Sequence, residues 1–107
     1  MRSRYAALAA AIVLPLSIGC GAAQDIGLPS RGLALAQRLC SECHVVDKRQ
    51  ARSPNPDAPR FAAIAGSPGM TSIALLAALN TSHQSMQNIL LEPDEQADII
   101  AYILTLR

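Results

Sequence analysis

The chain has 107 residues and a formal net charge of +1 at pH 7; half of its residues are hydrophobic and only 3% are aromatic. This length holds one domain at most, and so small a charge excludes the broad basic field that binds a nucleic-acid backbone. A small domain with few aromatic side chains has little to fill its core. We therefore expect a disulfide, a metal or another bound group to supply part of it.

The first 23 residues have the pattern of a cleavable secretory signal peptide. Arg2 and Arg4 precede an apolar run over residues 6–18, and small residues follow at positions 21–23. The run is shorter than the roughly 20 apolar residues of a spanning helix, so we expect no transmembrane segment in the mature protein. Residues 24–107 then form one exported, periplasmic and monomeric domain with seven basic and eight acidic side chains.

Cys20 leaves a second interpretation of the leader, because a cysteine in that position can be lipidated. The residues before it match a bacterial lipoprotein signal only in part, with Ser17 where leucine is usual. Cleavage after Ala23, with loss of Cys20, is the favoured interpretation. The mature chain then keeps Cys40 and Cys43, for which a disulfide is the ordinary expectation in an exported protein.

Three helices are predicted, and no strand. The first covers about residues 29–40, with Ser30 as its cap and Leu35 and Leu39 on one face. Residues 47–60 contain three prolines and form a loop, and a loop this long in a small domain is usually functional.

The second helix covers about residues 71–80, with Thr71 as its cap. Its predicted apolar face has a spacing of three and four and consists of Ile73, Leu76, Ala77 and Asn80. After another loop, the third helix begins at Pro93 and runs to the C-terminus with a broad apolar face. These elements indicate an all-α fold in which a few helices and long loops surround a shared centre.

The motif C-x-x-C-H at residues 40–44 has three interpretations. A redox C-x-x-C lies at the start of a helix after a strand, whereas Cys40 follows a predicted helix. Structural zinc requires four ligands, and adjacent Cys43 and His44 would reach one tetrahedral centre only with strain. Covalent haem attachment uses every position: the two thiols form thioethers with the vinyl groups, and the histidine becomes the proximal iron ligand. The haem would also supply the missing core volume.

The chain resembles class I cytochrome c in its small bacterial form, over residues 29–107. The resemblance rests on GLALAQRLCSECH, with Gly32 eight residues before Cys40, and on SHQSMQNILLEPDEQADIIAYI, with Met86 in a loop before the last helix. It implies the small cytochrome c fold around one covalent haem c. It also implies that Gly32 lets the first helix cross closely against the last one near Tyr102.

The sixth iron ligand has three candidates, which are Met70, His83 and Met86. A methionine is more often packing than ligand, but Met86 has the position that the resemblance implies, and we predict ligation by His44 and Met86. A thioether sulfur favours ferrous iron, whereas a second imidazole would lower the potential. In the family a proline commonly follows the methionine ligand, whereas Gln87 follows Met86 in this chain. The absence of this rigid residue would loosen the loop.

The resemblance implies that a proline carbonyl in the loop after C-x-x-C-H accepts a hydrogen bond from the histidine ligand. We predict Pro59 for this role, with Pro54 and Pro56 as the alternative acceptors. The ordinary interpretation of Pro54 and Pro56 is that they stiffen the loop. Arg60 is a candidate for contact with a haem propionate, although a solvated arginine is an equally ordinary interpretation.

The predicted function is one-electron transfer between redox partner proteins such as a dehydrogenase, an oxidase or other cytochromes. The chain would not be an enzyme itself, although it fits the electron-accepting subunit of a dehydrogenase. The alternative is a haem protein with an open or displaceable sixth position that senses a gas or reacts with peroxide. A protein without haem, held by a disulfide, is the third interpretation.

Overall fold

The computed structural model describes residues 26–82 and 86–107, and within these ranges the chain forms four helices and no strand. The all-α prediction is confirmed. The helices are α1 (Pro29–Leu39), α2 (Phe61–Ala65), α3 (Ser72–Leu79) and α4 (Pro93–Leu104). The predicted leader with Cys20, and the ligand candidate His83, lie outside the described residues.

Helix α1 begins at Pro29, two residues earlier than a cap at Ser30 would allow. Leu28 is the N-cap and Pro29 takes the first helical position, where its fixed φ and missing N–H cost nothing. Ser30 therefore lies inside the first turn, and its prediction as the cap is wrong. Leu35 and Ala36 are buried, so the side of the helix on which they lie packs against the core.

Helix α2 was not predicted, because five residues are too few for a periodic pattern. It buries Phe61 and Ala65.

The cap predicted for α3 is confirmed, since the Thr71 hydroxyl accepts a hydrogen bond from the Ala74 N–H at 3.1 Å.

The inner face predicted for α3 is wrong. Ile73 is 78% exposed and Leu76 is 44% exposed, whereas Leu75 is buried. The sequence SIALLAAL is apolar on every side, so its periodicity does not distinguish an inner from an outer face.

Helix α4 begins as predicted, with Pro93 at its first position and Asp94 and Glu95 in its first turn. Glu92 and Glu95 form a reciprocal capping box in which each side chain accepts from the other's backbone. The helix ends at Leu104, three residues before the predicted end. It supplies much of the core, which contains Ile99, Ile100, Tyr102 and Ile103.

The closest packing in the fold is between α1 and α4. A Cβ on Gly32 would overlap the carbonyl oxygen of Asp98 and the Cβ of Tyr102, so only glycine fits there. The close crossing implied by the resemblance is thus present. Asp98 is buried at this crossing; its Oδ1 accepts from the Leu28 N–H at 2.6 Å, and its Oδ2 lies 3.1 Å from Arg31 Nε.

Within residues 26–82 and 86–107, no helix is long and apolar enough to cross a membrane.

Candidate functional site

A cavity of about 320 Å³ opens between the C-x-x-C-H segment and helices α2, α3 and α4. This volume is within the ordinary range of pockets that bind small molecules and cofactors. Its wall is mostly aliphatic, and the helices contribute Ile64, Leu75, Ala78, Leu79, Ile99 and Ile103. All four predicted site residues, Cys40, Cys43, His44 and Met86, line this one cavity.

The C-x-x-C-H segment reaches the cavity because the chain turns sharply where α1 ends. The Cys40 N–H still donates to Ala36 in the last turn of α1, at 2.8 Å. The N–H groups of Cys43 and His44 then both donate to the Cys40 carbonyl, at 3.2 and 2.9 Å. This tight turn brings the two sulfur atoms and the imidazole to the same side of the chain.

The His44 ring is held by a hydrogen bond and by an aromatic neighbour. Its Nδ1–H donates to the Pro59 carbonyl oxygen at 2.7 Å, as predicted. The centroids of the His44 and Phe61 rings are 5.4 Å apart, with a tilt of 52° between the planes. Because Nδ1 is occupied as a donor, Nε2 is the nitrogen with a free lone pair, which is the form that binds a metal.

Gln50 holds the backbone that directly follows the His44 side chain, and no pattern in the sequence pointed to this role. Its Nε2 donates to the His44 carbonyl at 3.2 Å, while its Oε1 accepts from the Val46 N–H at 3.0 Å. The Tyr102 hydroxyl donates to the Val46 carbonyl at 2.6 Å and ties this segment to α4. Burial, and secondarily the charge of Asp47, raise the pKa of Tyr102, so it stays protonated as a donor.

The two thiols are free within the described residues, and their surroundings differ. Cys40 is half-buried, and burial raises the pKa of its thiol to about 11. Cys43 is exposed. A redox C-x-x-C needs a lowered thiol pKa, so the environment of Cys40 opposes thiol-disulfide exchange.

Met86 is half-buried and lines the cavity together with Gln87 and Ile89. Met70 packs against the hydrophobic core and is not part of the cavity wall. Of the two methionine candidates, only Met86 is therefore placed beside the C-x-x-C-H segment.

The positions of the side chains bear on two further predictions, which are the zinc interpretation of the C-x-x-C-H motif and the role of Arg60. Among residues 26–82 and 86–107, no three His, Cys, Asp or Glu side chains are clustered for binding a metal ion. The Arg60 guanidinium donates to the Ala51 carbonyl at 3.3 Å, and its contact with a propionate stays a prediction.

Residues 29–107 match the family model described as cytochrome c. The chain belongs to the cytochrome c family. Cytochromes c bind a covalently attached haem c, so this chain is an electron-carrying haem protein. It is similar to cytochrome c-552 of Bradyrhizobium diazoefficiens, strain USDA 110, at 41% identity over 76 residues, or 71% of this chain and 72% of that protein. No solved structure matches the chain.

The residues that line the cavity fit the haem of a cytochrome c in their chemistry. Its wall has two thiols at the attachment spacing, an imidazole with Nδ1 already bonded and a thioether, and the remainder is largely aliphatic. An aliphatic wall is suited to a flat apolar body and excludes water from it. The small number of aromatic side chains led us to expect that a bound group supplies part of the core, and a haem in this cavity agrees with that expectation.

Proposed function

We propose that the protein is a periplasmic one-electron carrier whose haem is attached through Cys40 and Cys43 and ligated by His44 and Met86. The observation that supports this best is that all four side chains line one cavity. Residues 1–23 act as the export signal in this proposal, and residues 24–107 form the carrier.

The haem, when bound, supplies an iron that alternates between the ferric and ferrous states. Cys40 and Cys43 hold it covalently, so it is retained in both states. The Pro59 carbonyl keeps the Nδ1 proton of His44 and leaves Nε2 as the ligand, with increased basicity. The Met86 thioether is a soft ligand that favours the ferrous state and raises the potential.

The remaining cavity residues keep water away and resist rearrangement. Leu75, Ile99 and Ile103 are buried and form part of the cavity wall. With His44 and Met86 both holding the iron, neither oxygen nor a substrate would have a coordination site. Such a site suits electron transfer rather than catalysis on a bound substrate.

The partners in this proposal are other redox proteins, such as a dehydrogenase, an oxidase or another cytochrome. A carrier must release each partner quickly, and complexes of this type have small interfaces. Residues 24–107 contain seven basic and eight acidic side chains, so their net charge is close to zero and long-range electrostatic steering is weak. The chain carries a single lysine, Lys48, so it has no lysine-rich docking ring.

Replacement of Met86 by alanine tests the axial assignment, with Met70→Ala as the matched control. We expect Met86→Ala to abolish the methionine-to-iron charge-transfer band of the ferric protein and to lower the reduction potential. Met70→Ala should keep the band, because Met70 contacts the core but not the cavity. An unchanged spectrum and potential in Met86→Ala would refute Met86 as the ligand.

Two further measurements test the rest of the proposal. Haem staining of a denaturing gel should follow the polypeptide, because thioether bonds survive denaturation. The reduced wild-type protein should bind carbon monoxide slowly or not at all. Rapid binding would instead identify an open sixth position and support a gas sensor or a peroxide-reactive protein.

A further inference from the structure

The direction of the His44 imidazole depends on three groups of that residue, which are its N–H, its carbonyl and its ring nitrogen Nδ1. The N–H donates to the Cys40 carbonyl at 2.9 Å, and the ring Nδ1–H donates to the Pro59 carbonyl at 2.7 Å. The His44 carbonyl accepts from Nε2 of Gln50 at 3.2 Å. Because a residue has only two soft backbone dihedrals, the bonds at its N–H and its carbonyl together fix the direction of its side chain.

The amide of Gln50 uses both of its ends. Besides the donor bond to His44, its Oε1 accepts from the Val46 N–H at 3.0 Å. Only one orientation of the amide satisfies both bonds, because its oxygen must face the N–H and its NH₂ must face the carbonyl. The side chain therefore holds two successive peptide groups, as a neighbouring strand would.

The turn that carries Gln50 is itself tied to α1. Gln50 is half-buried, and its N–H donates to the Asp47 carbonyl at 3.3 Å. The Asp47 carboxylate accepts from the Arg49 N–H at 2.8 Å and from Nε2 of Gln37, in α1, at 3.0 Å. Gln50 thus reaches the His44 backbone from a fixed support.

We propose that Gln50 is a positioning residue for the redox centre: by holding the His44 carbonyl, it fixes the direction of the imidazole and the bond from Nδ1–H to Pro59. The inference rests on the proposed function, in which Nε2 of His44 binds the iron. A hydrogen bond at Nδ1 makes Nε2 a more basic ligand, and a more basic ligand stabilises the ferric state. Gln50 therefore keeps the reduction potential lower than it would be without this bond.

The residues after the ligand have other supports, which remain when Gln50 is replaced. The Phe61 N–H donates to the Val45 carbonyl at 3.0 Å, and the Tyr102 hydroxyl donates to the Val46 carbonyl at 2.6 Å. These bonds act one and two peptide groups beyond the carbonyl that Gln50 holds. Replacement of Gln50 should therefore turn the imidazole without unfolding the segment.

Two substitutions separate the two bonds of Gln50. Gln50→Met keeps a long unbranched side chain and removes both bonds. Gln50→Glu, when ionised, keeps an acceptor for the Val46 N–H but has no donor for the His44 carbonyl. If the imidazole is positioned through the His44 carbonyl, both variants should behave alike. A Gln50→Glu protein that resembles wild type would place the effect at Val46 and overturn the proposal.

The solvent exchange of the His44 Nδ1–H proton, followed by ¹⁵N NMR in the ferrous protein, is the first measurement. We expect it to be about five- to tenfold faster in both Gln50 variants, which corresponds to the loss of about one hydrogen bond. An unchanged exchange rate in Gln50→Met would overturn the proposal.

Gln96 in α4 provides the matched control. It is also half-buried, and its amide also uses both ends, accepting from Asn80 Nδ2 at 2.9 Å and donating to the Leu91 carbonyl at 3.0 Å. Gln96→Met and Gln96→Glu should change the His44 exchange rate by less than about twofold, because Gln96 has different hydrogen-bond partners from Gln50. Equal acceleration at both positions would show a general loosening and overturn the proposal.

The reduction potential is the second measurement, and its sign is decisive. Gln50→Met should raise the potential, because a weaker bond to Pro59 makes His44 a less basic ligand. A general loosening that lets water reach the haem would instead lower the potential, since water stabilises the ferric charge. An unchanged or lower potential in Gln50→Met would contradict the positioning role. Gln50→Glu is omitted from this measurement because its new charge shifts the potential by itself.

The wild-type NMR spectrum separates this proposal from the axial assignment. In the ferrous protein the ring protons of a ligating His44 should lie far upfield, because the ring current of the haem shifts nuclei close to its axis. Ordinary positions would refute His44 as the ligand, whatever the Gln50 variants do. Upfield positions, with equal exchange rates in wild type and Gln50→Met, would overturn the role of Gln50 alone.

Discussion

The two sides of the cavity are held in different ways. The His44 wall, residues 40–61, is fixed by backbone and side-chain hydrogen bonds; the bond from the Phe61 N–H to the Val45 carbonyl is 3.0 Å long. The Met86 wall, residues 86–91, makes no backbone–backbone hydrogen bond with the other described residues. Side chains hold it instead, such as Gln96, whose Nε2 donates to the Leu91 carbonyl at 3.0 Å.

This difference indicates which of the two proposed ligands is held in place by the protein itself. The imidazole of His44 is held by Pro59, and its backbone by Gln50 and, through Val46, by Tyr102. Met86 lies on a segment without such support, and Gln87 stands where a proline would stiffen it. We expect the His44 wall to form by folding alone, whereas the Met86 wall would be fixed further by the proposed bond between Met86 and the iron.

The largest effect should come from the helix crossing that supports the His44 wall. Gly32→Ala should lower the free energy of unfolding by about 3 kcal/mol or more, because the new Cβ overlaps backbone atoms that cannot move aside. Guanidinium denaturation measures the change. Gly66→Ala is the control, since its Cβ would lie 3.3 Å from the Ala62 carbonyl oxygen, and it should cost at most about 1 kcal/mol.

Amide hydrogen exchange compares the two walls directly. We expect the N–H groups of His44, Val46 and Phe61 to exchange roughly a hundredfold more slowly than those of Asn88 to Leu90. The first three donate within the structure, at 2.9 to 3.0 Å. Similar exchange rates in both segments would show that the Met86 wall is as well held as the His44 wall.

Tyr102→Phe should weaken the His44 wall by a smaller amount. Loss of the bond to the Val46 carbonyl should cost about 1 kcal/mol of unfolding free energy. The folded pKa of Tyr102 is raised, so its contribution is complete below the unfolded pKa near 10 and is lost as pH rises through the folded pKa. The stability difference between wild type and Tyr102→Phe should therefore be constant at neutral pH and shrink in alkali.

The smallest effect is expected at the start of α3, which makes no contact with the His44 wall through the Thr71 hydrogen bond. Thr71→Ala removes the hydroxyl that accepts from the Ala74 N–H and should cost about 0.5 kcal/mol. Thr71→Ser keeps the acceptor and should retain most of the stability. A larger loss than in Tyr102→Phe would contradict the view that the His44 wall carries more of the stability.

Features set by neighbouring residues were predictable from the sequence. Thr71 and Pro93 mark helix starts because capping acts within one turn, and the C-x-x-C-H spacing indicates haem attachment without knowledge of the fold. Local competition also explains the error at Ser30, since Pro29 takes the first helical position and moves the cap two residues back, to Leu28. The five-residue helix α2 was missed because burial of Phe61 and Ala65, not periodicity, selects it.

The sequence by itself thus determined the helical class, the haem-attachment motif and the family resemblance, because each depends on residues close together in the chain. Only the tertiary structure decided which side of α3 turns inward and which glutamine holds the His44 backbone. Those choices depend on atoms brought together from distant segments. For α3 the reason is plain: a helix that is apolar on every side takes its orientation from its neighbours.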